Sequence, residues 1–412
     1  MNVCSKTFFL LFVFSLGKVG YSQSTQTETQ KNLQLNTITT AVPFLLIGPD
    51  SRTGGLGDAG CALSPDANSI HWNGSKLAFA EKKMGLSVSY IPWLRALVPD
   101  INLAYLSGYY KAKKDQVFAG SLRYFSLGDI TFTDNTGNTI GQFRPNEFAL
   151  DFAYSRKLAE RFSAGMAARY IYSNLTSGIN VSGTATKPGQ AFAVDISAYY
   201  QNKEIKLGDR KGVLAFGMNI SNIGNKMAYS NSGEKDFIPI NMRLGSALTM
   251  ELDQYNSFAF VADLSKLLVP TPPIYKLDAN GSPVIDPGTG KPEIESGKDP
   301  DRGIASGIFG SFSDAPNGFN EELKEVNPSL GMEYWYDKLF AFRVGYFHED
   351  KTKGNREYFT IGAGLRYNVF ALDLAYLIPT HVRNPLANTL RFTLMFDFDA
   401  FKKQNDGESK TE

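Results

Sequence analysis

Between Thr389 and Phe401 the chain alternates, with Leu390, Phe392, Leu394, Phe396 and Phe398 on one parity and Thr389, Arg391, Thr393, Met395, Asp397 and Asp399 on the other. Successive side chains of a strand point to opposite faces, so this stretch predicts a strand with one uncharged, Phe-rich face and one polar face. The pattern recurs at Phe148, Leu150, Phe152 and Tyr154 against Glu147, Asp151 and Ser155. It recurs again at Ile240, Met242, Leu244, Leu248 and Met250 against Asn241, Arg243, Thr249 and Glu251. Repeated along most of the chain, it describes an all-β fold that is greasy outside and polar inside: an outer-membrane antiparallel β-barrel.

About fourteen strands are predicted, at 84–90, 101–111, 117–127, 147–157, 162–173, 190–201, 213–223, 240–252, 256–268, 328–337, 339–348, 356–368, 369–377 and 389–401. Connections after even-numbered strands are mostly short (112–116, 158–161, 253–255, Asp337-Lys338), and those after odd-numbered strands mostly long (128–146, 174–189, 224–239, 269–327). Outer-membrane barrels have short periplasmic turns and longer extracellular loops, which places 269–327 on the cell surface. The segments 202–212 and 349–355 break the alternation. Arg or Lys on the lipid face near the midplane costs about 2–4 kcal/mol, so Arg123, Arg169, Arg243, Arg343, Arg366 and Arg391 are expected to point inward. Asp151, Asp195, Asp263, Glu333 and Asp373 share that parity, and pairing among these opposite charges is the expected state of the lumen.

Composition narrows the class. Mean hydropathy of −0.21 is too low for a helical membrane protein, and beyond the N-terminus no apolar run reaches the roughly 18–20 residues of a spanning helix. A net charge of +1 gives no electrostatic reason to expect a nucleic-acid partner. Lys6, the apolar stretch 8–16 and Gly20-Tyr21-Ser22 read as a signal peptide, 1–22, removed on export to the outer membrane. Cys4 leaves with it, so Cys61 has no disulfide partner in the chain and no metal spacing.

Residues 23–83 do not alternate. They form an N-terminal extension dense in Gly, Asp, Asn and Ser, which suits an irregular plug inside the lumen. The barrel then spans 84–401, interrupted by the long segment 269–327, and a polar tail covers 402–412. Gly55 to Gly60 formally matches a dinucleotide fingerprint, but Pro65 and antiparallel hairpins follow where a βαβ unit would be required. His71, His348 and His381 share no ligand spacing, and no Gly-x-Ser-x-Gly is present. No catalytic, cofactor or metal site is therefore assigned.

The run Arg52-Thr-Gly-Gly-Leu-Gly-Asp-Ala-Gly60, followed by Ser64-Pro-Asp-Ala-Asn-Ser-Ile-His-Trp-Asn73, resembles the plug signature of the FadL-like outer-membrane barrels. More narrowly, DSRTGGLGDAG with SPDANSIHWN, together with 98–110 and 193–201, resembles the PorV family of the type IX secretion system of Bacteroidota. The matching plug positions are Arg52, Gly54, Gly55, Gly57, Asp58, Gly60, Asp66 and Asn73. At Asn73-Gly74-Ser75 the chain departs from the family's usual Asn-Pro-Ala, so the turn can form but is not stiffened.

The resemblance implies a fourteen-stranded barrel with an N-terminal hatch and no enzymatic activity. It implies binding of the C-terminal signal domains of cargo that has crossed the SprA (Sov) translocon barrel, and delivery to the PorU sortase and attachment complex. Outer-membrane lipid is the remaining partner. Exposed aromatics of the outer loops, Phe309, Phe312 and Phe319, with Phe192 at the outer rim after 174–189, are the contact candidates. The alternative is a FadL-like importer of hydrophobic small molecules, which predicts an apolar pocket inside the barrel.

Overall fold

The computed structural model describes residues 36–396 and 398, apart from 95–97, 99, 134–135, 177–179, 182–183, 209, 232–234, 382–385 and 387–388. The expected signal peptide, residues 23–35 and the 402–412 tail lie outside the described residues.

Fourteen strands close into one antiparallel barrel: β1 (Met84–Pro92), β2 (Ile101–Lys113), β3 (Gln116–Leu127), β4 (Asn146–Ala159), β5 (Phe162–Asn174), β6 (Gly189–Leu207), β7 (Arg210–Gly224), β8 (Asn241–Glu251), β9 (Asn256–Leu267), β10 (Asn327–Tyr336), β11 (Phe340–His348), β12 (Glu357–Tyr367), β13 (Phe370–Pro379) and β14 (Leu390–Phe396). Each strand pairs with the next, and β14 returns to β1 with Val88 opposite Leu394, leaving no open edge. Closure satisfies every ladder between neighbours, which hydrocarbon demands because it offers no water to a free N–H or C=O.

The turns 114–115, 160–161, 208–209, 252–255, 337–339 and 368–369 all fall at one end, and all the longer connections at the other. The expected break at 202–212 is absent. β6 and β7 run on as a hairpin from Leu207 to Arg210, because Ile205 and Leu207 continue the strand pattern between charged residues. β14 is described over Leu390–Phe396, and residues 397 and 399–401 of the predicted strand 389–401 lie outside the described residues.

The inward and outward faces follow the sequence parity. Arg123, Arg169, Arg343, Arg391, Asp151, Asp195, Asp263, Glu333 and Asp373 are all buried inside the barrel. Phe152, Met166, Phe260, Phe342 and Phe359 are exposed on the outer wall, where lipid replaces water. Register does the pairing: Asp151 stands opposite Arg169, and Glu333 opposite Arg343. One outward cation breaks the parity expectation. Lys266 of β9 points away from the lumen, and the segment after β9 folds back and covers it.

Candidate functional site

The plug crosses the whole lumen. At the long-loop end Asn36 donates its backbone N–H to Thr352 O (3.0 Å) and Ala41 donates to Phe237 O (2.9 Å). At the short-turn end Ala80 O accepts from Lys111 Nζ (2.7 Å). Between them an apolar cluster of Val42, Phe44, Leu45, Ile70 and Leu77 packs on Leu103, Tyr105, Val117 and Ile171 of the wall. The plug's helices are single turns, α1 (Ser51–Gly54) and α2 (Ser69–Trp72). Asp50 caps α1 by accepting from Thr53 N (2.8 Å) and also accepts a hydrogen bond from Trp72 Nε1, which ties the two turns together.

Arg52 is the centre of the plug–wall contact. Its Nε and Nη2 fork onto Glu333 of β10 at 3.0 and 2.8 Å, Nη1 reaches Asp66 (3.1 Å) and Ser64 O, and Nη2 also meets Ser64 Oγ. All five guanidinium donors are thus used, three of them on carboxylates. Glu333 is shared with Arg343 (2.7 Å), which in turn holds Asp373 (2.6 Å), so charge alternates along the chain Arg52, Glu333, Arg343, Asp373. A second fork joins Asp58 to Arg391 of β14, and the Tyr358 hydroxyl donates to Asp58 at 2.8 Å. Asp263 of β9 accepts the backbone N–H groups of Gly60 and Cys61, both at 2.8 Å.

The glycines are where plug backbone touches wall backbone. Gly57 has φ +67°, and a Cβ there would fall 2.5 Å from Tyr346 O. Gly60 lies under the Trp72 ring, which a Cβ would meet at 2.7 Å. Gly54 and Gly55 lie against Arg391 and Gly362 of the wall. Asn73 caps the turn Gly74–Phe79 through Ser75 N, and its Nδ2 bonds Cys61 O and Ala198 O, so the side chain fixes the turn that the missing Pro would have stiffened. The plug positions singled out in the sequence therefore converge on one plug–wall interface. Hollows remain at both ends, about 550 Å³ at the short-turn mouth and about 380 Å³ at the long-loop mouth. Both are lined with charged side chains, Arg52, Asp66 and Arg366 in the first and Asp58, Arg243 and Arg391 in the second.

The long-loop end carries a cap built from 268–326, with α3 (Ile304–Gly310) and α4 (Phe319–Lys324). The C-terminal part of this segment is pinned by buried ion pairs. Lys266 binds Glu322 (3.0 Å) and Glu325, while Lys353, from the β11–β12 connection, binds Glu321 and Glu325 (2.9 Å). Burial raises the Glu321 carboxyl pKa, but bonds from Lys353, Asn317 and Asn36 outweigh this and hold it below the usual carboxylate range.

Phe309 and Phe319 are 78% and 73% exposed on this cap, and Phe312 is half-exposed. With Leu323 and Val326, Phe312 and Phe319 form an apolar hollow of about 250 Å³ against Met242, Leu244 and Leu264 of the outer wall. Phe192 lies on β6 three residues from its long-loop end, within the predicted strand 190–201, and its ring faces outward 5.2 Å from the Tyr170 ring, on the parity of Val194 and Ile196. The fold also brings together two histidines that their spacing kept apart: His348 Nδ1 lies 3.4 Å and His381 Nδ1 3.8 Å from Glu357. Among the described residues no group of His, Cys, Asp or Glu has metal-holding geometry.

A family model described as the type IX secretion system protein PorV matches residues 28–274, more than half of the chain. The chain belongs to this PorV family. The match takes in the plug and β1 to β9 of this PorV-family barrel and stops ahead of α3 and α4. Among solved structures it is similar to the P. putida toluene transporter TodX, at 12% identity over 85% of this chain and 97% of that chain, with a TM-score of 0.48. It is also similar to the Ralstonia pickettii toluene transporter TbuX, at 10% identity over 85% and 96% with a TM-score of 0.42. A Pseudomonas aeruginosa FadL homologue aligns at 12% identity over 88% and 99%, with a TM-score of 0.42. No curated protein matches the chain.

Proposed function

We propose that this PorV-family barrel is a cargo carrier of the type IX secretion system. It binds C-terminal signal domains of secreted proteins at the SprA (Sov) translocon barrel and delivers them to the PorU sortase and attachment complex, without chemistry of its own. The observation that carries this reading is a lumen closed by ion-paired plug residues beneath a cap that displays Phe309 and Phe319. A sealed barrel has its binding energy outside, and exposed aromatics on a pinned scaffold are the groups most able to supply it.

The importer alternative needs an apolar route through the barrel. Charged side chains line both mouth hollows beside apolar ones such as Ile38, Leu46 and Trp93, while the predominantly apolar hollow at Phe312 and Phe319 lies outside the wall, which favours the carrier. Affinity isolation of the protein from its native outer membrane tests the reading. Recovery of a very large barrel and of cargo signal domains supports it; isolation of the protein alone with a bound hydrophobic small molecule would replace it with the importer.

A further inference from the structure

The short-turn end has a charge asymmetry that the cargo reading does not use. Across 81–83, 111–115, 156–161 and 203–211 the sequence holds twelve Lys or Arg against five Asp or Glu, in a chain whose total is +1. The remaining turns on that end, 251–255, 337–339 and 367–369, hold one Lys against three acids. The positive charge is therefore gathered on the arc from β2 to β7.

Within that arc Lys111, Lys157 and Lys203 share the inward parity of their strands, so they lean over the plug's exit and away from the lipid-facing wall. Lys111 Nζ bonds Ala80 O, Lys157 Nζ sits 4.9 Å from the centre of the Phe79 ring, and Lys203 lies 3.8 Å from Glu81. With Lys114 and Arg161 they line a hollow of about 340 Å³ that also holds Glu160 and Glu204. Among the described residues no carboxylate is within ion-pair distance of Lys111, Lys114 or Lys157. The hollow's five cations, Lys111, Lys114, Lys157, Arg161 and Lys203, outnumber its three carboxylates, Glu81, Glu160 and Glu204, and this excess of positive charge attracts an anion and repels cations.

The β6–β7 hairpin indicates which anion. β5 accompanies β6 only as far as Tyr200, opposite Phe162, and β8 accompanies β7 only from Gly212, opposite Met250. On the β5 side the stretch from Gln201 to Leu207 runs about 20 Å along the strand beyond its neighbour, at roughly 3.3 Å per residue, whereas on the β8 side only Arg210 and Lys211 extend past the paired residues. The headgroup layer adds only about 5–8 Å to each side of the hydrocarbon, so on the β5 side Lys206, with Lys211 opposite it, extends past that layer toward the aqueous compartment.

We propose that the short-turn mouth is a docking surface for an acidic segment of a soluble protein that approaches the barrel from this side, which the turn lengths make periplasmic. Carboxylates of the segment enter the hollow over Phe79 and Glu81, and the projecting hairpin flanks it. The inference is independent of what the cap at the opposite end binds.

The test uses the mature full-length chain in nanodiscs of zwitterionic lipid. The probes are a fluorescent Asp/Glu-rich peptide and its Asn/Gln counterpart, followed by anisotropy. The acidic peptide binds in a salt-sensitive manner, its neutral counterpart does not, and a K111Q/K157Q/K203Q variant weakens binding about tenfold or more. K276Q at the long-loop end leaves it unchanged. Heat-modifiable gel mobility reports that each variant is folded, and the three single substitutions replace the triple one if it fails to assemble. Equal binding by wild type and variant, or no binding by wild type, overturns the proposal. Anionic lipid retained by the wild type and lost from the variant, with no peptide bound, would assign the site to a lipid headgroup instead.

Discussion

Replacing Arg52 by Met removes the largest single tie between plug and barrel while keeping most of the side chain's volume. Glu333 loses its forked partner but keeps Arg343 at 2.7 Å, and Asp66 and Ser64 lose theirs. Each charge-assisted bond contributes about 1.5–3 kcal/mol net, so simple addition over five bonds would overshoot. Asp66 borders the short-turn hollow, where water can replace the guanidinium. The relevant scale is the loss of one partner of a buried pair, about 3–5 kcal/mol. At about 1.4 kcal/mol per factor of ten, the detached state of the plug becomes roughly a hundred- to several-thousandfold more populated.

Two measurements read this. Trp72, whose Nε1 donates to Asp50 in the plug, becomes accessible to a soluble fluorescence quencher at lower denaturant than in the wild type. Cells carrying the variant also take up more of a small polar antibiotic. A double-mutant cycle with Glu333→Gln is expected to give a coupling of at least about 1.5 kcal/mol. A loss below about 1 kcal/mol with unchanged uptake would refute the assignment of Arg52 as the main tether.

Gly57→Ala places a Cβ 2.5 Å from Tyr346 O at a left-handed backbone position, so it is expected to abolish plug seating and yield a leaky barrel; a fully heat-modifiable, sealed variant would contradict the close approach. Because the Glu321 carboxyl is held below its ordinary value of 4.5, its contribution to the cap is full above that pH and is lost as pH falls through the lowered value. Amide exchange over 319–326 should therefore rise on acidification below about pH 4.5, and Glu321→Gln should remove this dependence; identical pH profiles would oppose it. Protease added to intact cells should cut the exposed 276–298 arm and spare 252–255, whereas cutting only after permeabilisation would invert the orientation.

The barrel was legible because one energetic rule, the exclusion of charge from lipid, acts on every second residue of every strand. That rule assigned Arg123, Arg343 and Asp373 to the lumen without knowledge of their partners. It misses where its premise fails. Lys266 faces outward, yet Glu322 and Glu325, some sixty residues later, neutralise it, and strand parity carries no information about such a fold-back. The length of the β6–β7 hairpin was hidden because charged residues beyond the membrane look like a loop in sequence. The plug was legible as polar and Gly-rich, but the pairing of Arg52 with Glu333 and of Asp58 with Arg391 depends on three-dimensional register across the lumen.

The central claim is that activity resides on the outer cap and not in the lumen. Phe309→Ala, Phe312→Ala and Phe319→Ala combined leave the ion pairs of Glu321, Glu322 and Glu325 intact, so the cap and barrel should assemble normally. The direct measurement is the amount of a secreted cargo protein attached to the cell surface in a strain carrying only this variant. The account predicts loss of surface attachment with normal barrel levels in the outer membrane. Wild-type attachment by the triple variant, alongside loss of attachment from Asp195→Ala or Arg243→Ala in the lumen, would contradict it.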